Sequence, residues 1–192
     1  HEAEPVRLSA RELRVSVPEL LRILQIGVPA GIQGMVFSIA NVFVQSALNS
    51  LGTNAVAGSA VALNYEYFTY FVVAAFNQAT VTFTSQNYGA KQYGRCKKIF
   101  WLCMAASVLA TGAMSLVFVV GRGFFASFFT PDPAVAAFAK TRMLHTLSLS
   151  FICASYEIGG AALRGVGYSM MPALITIFGT CVAGIWWVYT VF

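Results

Sequence analysis

The run Ile99–Val120, IFWLCMAASVLATGAMSLVFVV, is 22 residues long and carries no charged side chain. About 20 mostly apolar residues in a helix cross roughly 30 Å of hydrocarbon, so this stretch reads as a membrane span. Charge-free runs on either side of it cover Ile23–Tyr65, Tyr67–Ala90 and Gly165–Phe192. Charged residues make up only 10% of the 192-residue chain, and AVILMFWYC make up 58%. Soluble domains carry about 25% charge. The fold class that follows is an all-α, polytopic membrane bundle.

Five spans are predicted, at residues 23–48, 55–84, 99–120, 135–157 and 173–192. The fourth contains Lys140, Arg142 and His145 in its first half. Those side chains are expected at the headgroups, with long basic stems snorkelling outward. Ser16-Val17-Pro18-Glu19 fits a capping box with proline in the first turn. Asp132-Pro133 supplies a cap and a first helical residue. Pro29 is expected to kink the first helix and Gly52 to close it. Gly89 and Gly94 are expected to break the chain before the third span. Trp186 and Trp187 read as an interfacial belt.

The net charge of +5 does not point to nucleic acid, because a phosphate-binding face needs Lys and Arg spread through its helices. The basic residues follow the loops instead. One side collects Arg7, Arg11, Arg14, Arg22, Lys91, Arg95, Lys97, Lys98 and Arg164, against Arg122, Lys140 and Arg142 on the other. Positive residues stay inside, which puts the N-terminus in the cytoplasm. Lys91 to Lys98 reads as a topogenic loop near anionic lipid. Residues 1–22 are too charged for a secretory signal peptide, so insertion is expected to use the spans themselves. A chain that begins at His1 and stops within WWVYTVF reads as part of something longer. Cys96, Cys103, Cys153 and Cys181 show no ligand spacing and read as small apolar residues. Neither an enzyme constellation, a metal site nor a cofactor site is expected.

Lipid does not solvate amides or carboxylates, so polar residues within spans face other helices or a wet cleft. At 100° per residue, Glu66, Tyr70, Asn77 and Thr84 fall within about 40° of one another. Thr146, Ser150, Cys153 and Glu157 share a face about 60° wide. Asn41, Gln45 and Asn49 form a third seam, with Gln33 further round. The amides and hydroxyls fit helix-to-helix hydrogen bonding or cavity lining equally well. Glu66 and Glu157 read as ion-coupling acids, or as buried acids kept protonated or paired, Glu157 with Arg164. Tyr65, Tyr67, Phe68 and Phe71 beside Glu66 read either as an aromatic wall for an organic cation or as packing.

Three stretches taken in order carry a resemblance. Gly27-Val28-Pro29-Ala30-Gly31 opens the first span, and Ser85-Gln86-Asn87-Tyr88-Gly89-Ala90 with Arg95 closes the second. Leu163-Arg164-Gly165-Val166-Gly167, followed by Pro172, comes after the fourth. The sequence resembles the multidrug and toxic compound extrusion (MATE) family, whose members have twelve spans in two six-helix lobes. The resemblance implies a second lobe lacking its last span, with residues 1–22 as the cytoplasmic linker between lobes and the start of an interfacial helix, His1 to Val15 resembling the linker itself, and Asn41 where the first lobe carries an aspartate. It implies export of organic, often cationic, compounds in exchange for H⁺ or Na⁺ in a bacterial inner membrane. It carries Glu66 and Glu157 over as coupling acids. The cavity is expected to be lined by Gln33, Asn41, Gln45, Tyr70, Asn77 and Ser150, with Pro29, Gly165 and Gly167 accommodating bending. The implied partners are the bilayer, a small organic cation and the missing N-terminal lobe. The alternatives are a lipid-linked oligosaccharide flippase of the same superfamily and a non-transporting scaffold or channel subunit.

Overall fold

The computed structural model describes residues 16–182 together with Trp186 and Thr190. The linker assigned to residues 1–22 therefore lies mostly outside the described residues, as does most of the final predicted span. Helices run α1 Val17–Ser50, α2 Thr53–Gly89, α3 Tyr93–Val120, α4 Arg122–Phe129, α5 Pro133–Ser148, α6 Ser150–Gly165 and α7 Met170–Thr176. A wider π-type turn, Ile177–Val182, continues α7. By length and apolar composition α1 and α3 can each cross a membrane, and α5 with α6 can do so as one bent pair. At 37 residues α2 is longer still, about 55 Å against roughly 30 Å of hydrocarbon.

The ends of these helices follow the local chemistry. Asp132 accepts a hydrogen bond from the Ala134 amide at 2.8 Å, and Pro133 opens α5. Ser16 occupies the N-cap of α1 in extended conformation without a capping side-chain bond. Its position is as expected, but the reciprocal bonding of a capping box is not formed. The chain turns before α2 at Gly52. Between α2 and α3 it turns over 90–92, where Lys91 takes a left-handed φ of 58°. Gly94, expected to break the chain there, lies inside the first turn of α3. Pro29 lies buried within a helix assigned without interruption from Val17 to Ser50.

The fourth predicted span is two helices, α5 and α6, which meet at Leu149 with a bend of 43°. No proline or glycine marks the break. Instead the Thr146 carbonyl accepts the Leu149 amide at 3.3 Å and the Ser150 hydroxyl at 3.2 Å. A hydroxyl that takes a backbone acceptor in this way bends a helix.

Helices α2, α3, α5 and α6 pack on one another, α4 closes against α5, and α1 lies chiefly along α7 and its continuation. The core centres on Val61, Ala62, Tyr65, Ala139, Met143 and Leu147. The Tyr65 hydroxyl donates to the Phe125 carbonyl at 2.8 Å, and its ring packs against Phe118, Phe125 and Phe129. The helices approach closely where Gly58 faces α5. A Cβ there would stand 2.6 Å from the Val135 carbonyl oxygen and 2.7 Å from the Phe138 Cβ.

Candidate functional site

The polar face of α2 meets the polar face of α5 and α6, and an acid sits at each of two levels. The level nearer the start of α2 is built by Glu66. Arg142 from α5 grips it with both arms, Nε donating to Oε1 at 2.8 Å and Nη2 donating to Oε2 at 3.1 Å. The Thr146 hydroxyl stands 2.9 Å from Oε1 and 2.9 Å from the Arg142 carbonyl oxygen, so its one proton can serve either. Arg142 and Glu66 are 25% and 22% exposed, so water screens the pair only partly. Arg142, expected from its place in the sequence to snorkel outward, reaches across to the acid on the neighbouring helix.

The second level lies 11 residues along both helices, Glu66 to Asn77 and Thr146 to Glu157, or about 16 Å along the axes. The Asn77 amide donates to Glu157 Oε2 at 2.6 Å. Arg164 Nη2 stands 3.6 Å from the same oxygen, too far for a hydrogen bond. A Cβ added at Gly160, one turn back, would stand 3.6 Å from the Arg164 guanidinium. Left-handed Gly167, with φ +96°, closes α6 just beyond it and turns the chain toward α7. Gly165 is not at the turn itself. It packs on α2, where a Cβ would come within 2.9 Å of the Thr84 Cβ.

Glu157 and Arg164 line a cavity of about 240 Å³ whose other walls include Gln33 from α1, Tyr156 from α6, and Pro172 and Thr176 from α7. Of the predicted lining residues, the structure brings Gln33 and Asn77 to Glu157. Ser150 is half-buried beside the break, and Tyr70 is exposed. Asn41 and Gln45 lie on the exposed face of α1, where Gln45 bonds to Asn49 at 3.1 Å. Of the aromatic residues around Glu66, Tyr65 turns into the core, while Tyr67, Phe68 and Phe71 are exposed. Among the described residues no group of His, Cys, Asp and Glu could hold a metal ion.

Fold and site together define a polytopic helical membrane protein with acidic groups on an internal polar seam. A family model described as MatE matches residues 29–190, and the chain belongs to that family. Members are transporters rather than enzymes. The chain is 26% identical over 186 residues to the probable multidrug resistance protein NorM of Aromatoleum aromaticum, covering 95% of this chain and 40% of that protein. It is 24% identical over 168 residues to the probable multidrug resistance protein YoeA of Bacillus subtilis, covering 88% of this chain and 36% of that protein. With the multidrug resistance protein PmpM of Pseudomonas aeruginosa it shares 26% identity over 158 residues, 81% of this chain and 33% of that protein. The chain thus spans 40% or less of the length of these relatives.

Proposed function

We propose that this chain is one lobe of a secondary transporter that expels organic, cationic compounds across a bacterial inner membrane in exchange for H⁺ or Na⁺. Its N-terminal end faces the cytoplasm, and a second lobe completes the cleft. The observation that carries this reading is Glu157, a carboxylate held by a neutral amide and a loosely placed guanidinium at the wall of a cavity. At about 240 Å³ that cavity is smaller than the 300–1,000 Å³ or so of a drug-sized pocket. It suits an ion or the charged end of a larger molecule, with the remainder of the substrate lying between lobes.

The exchange follows from electrostatics. A carboxylate in a partly dry site is stabilised by one cation at a time. A proton or Na⁺ arriving on Glu157 releases a cationic substrate, and the reverse step reloads the site. Alternating access then requires the lobes to rock about the cleft, with Pro29 and the turn at Gly167 absorbing the motion. A flippase for phosphate-bearing lipids is not favoured, because its cavity would need several arginines and, among the described residues, this one has Arg164 alone, beside an acid.

The test is Glu157→Gln in the complete protein, reconstituted in vesicles and driven by a pH or Na⁺ jump. Membrane insertion should persist and ion-driven efflux of a fluorescent organic cation should fall to background. Unchanged efflux refutes the assignment.

A further inference from the structure

Glu66 and Glu157 are alike in the sequence, but the structure holds them differently. The inference drawn from that difference rests on the exchange reading above. Both oxygens of Glu66 are occupied by one guanidinium, and the Thr146 hydroxyl, which also has the Arg142 carbonyl within 2.9 Å, can supply a third donor. A bidentate pair of this kind admits a second cation only if the arginine leaves. Arginine does not lose its proton, and leaving it unpaired inside a membrane bundle is expensive. Among the described residues, α3, α4 and α5 offer it no Asp or Glu. Asp132, just ahead of α5, is engaged in capping Ala134. The other titratable groups on α5 are Lys140 and His145, and His145 sets Nδ1 against the Thr141 carbonyl at 2.8 Å. At Glu157 the side-chain bond from Asn77 falls on Oε2, and Arg164 approaches that same oxygen only at 3.6 Å.

We infer that Glu66 exchanges no ion: Arg142 and Thr146 hold it in a clasp that positions α5 on α2, and of the two acids only Glu157 takes part in exchange. Arg142 and Thr146 are positioning residues, and the clasp stays closed through the transport cycle.

Dicyclohexylcarbodiimide separates the two acids in the unaltered protein, because it attacks a carboxyl only in its protonated form in apolar surroundings. Peptide mass spectrometry of the complete transporter should find the adduct on Glu157, decreasing as pH rises and suppressed by a cationic substrate such as ethidium. Glu66 should stay unmodified at every pH tested. An adduct on Glu66 in comparable yield overturns the clasp. If Glu66 is unmodified but Glu157 is indifferent to pH and to ethidium, the clasp stands and the exchange reading fails instead.

Variants supply an independent readout. Glu66→Gln and Arg142→Gln should each lower ion-driven efflux roughly tenfold or more, whereas the paired Glu66→Leu/Arg142→Met should recover to within about threefold of wild type. Its pH profile should match wild type, since the exchanging group is untouched. A paired variant that inserts and folds but has lost ion-driven efflux overturns the inference. If the pair does not fold, the carbodiimide pattern decides.

Discussion

Adding one methyl group at Gly58 tests whether the α2–α5 crossing is as tight as its geometry indicates. In Gly58→Ala the new Cβ would meet the Val135 carbonyl oxygen at 2.6 Å, the Phe138 Cβ at 2.7 Å and the Ala139 nitrogen at 2.9 Å. Two of these are backbone atoms and the third is a first side-chain carbon, so no flexible end can swing away. The shortest falls about 0.8 Å inside the 3.4 Å at which ordinary contact begins, and the helices must part by a similar distance. Overpacking of this kind costs about 1–3 kcal/mol. Replacing a helical glycine by alanine returns about 0.5–1 kcal/mol, leaving a net loss of up to about 2.5 kcal/mol. Gly112→Ala is the control, because nothing lies within 4 Å of its added Cβ, so it keeps the helical gain without the clash. Thermal unfolding in detergent reads the difference, at about 2–4 °C per kcal/mol for a chain of this size. Gly58→Ala should melt several degrees below Gly112→Ala. If the two melt within about 1 °C of each other, or if Gly58→Ala melts higher, the close crossing is wrong.

Other substitutions probe the remaining contacts in the same unfolding assay. Tyr65→Phe deletes the bond to the Phe125 carbonyl but keeps the ring packing, and should cost about 0.5–1.5 kcal/mol, against about 3–5 for Tyr65→Ala. Asp132→Ala removes the cap of α5 and should cost about 0.5–2 kcal/mol, while Asp132→Asn should cost much less. Asn77→Leu takes the 2.6 Å donor from Glu157 and should cost about 1.5–3 kcal/mol. Glu157→Gln leaves an acceptor in place and should cost less than Asn77→Leu, even though it is the substitution expected to stop efflux.

Much of the fold was legible because lipid imposes simple rules. Charge-free runs mark where chain must be helical, and Asp132-Pro133 marks a start that the structure reproduces. The two polar stripes were also legible as angles, and they do face each other, Glu66 meeting Thr146 and Asn77 meeting Glu157. What lay beyond the sequence was pairing across space. Arg142 near the end of a predicted span is indistinguishable from a snorkelling residue until its neighbour is known. The break at Leu149 was hidden because neither glycine nor proline marks it; the Ser150 hydroxyl, bonded to the Thr146 carbonyl, stands there instead. The left-handed residue between α2 and α3 is Lys91, although two glycines flank the turn. Gln33 reaches the cavity because α1 lies beside α7, a neighbour far along the chain.

The elbow at Leu149 divides one crossing into two levers. Arg142 rides the upper arm, clamped to α2, and Glu157 rides the lower one. Glu157 lies roughly 12 Å down its arm from the pivot, so a swing of about 10° carries its carboxylate about 2 Å. That travel would part the 2.6 Å bond to Asn77, and because Gly165 at the far end of the same arm packs on Thr84 of α2, a swing of the lower arm must carry α2 with it or open that contact.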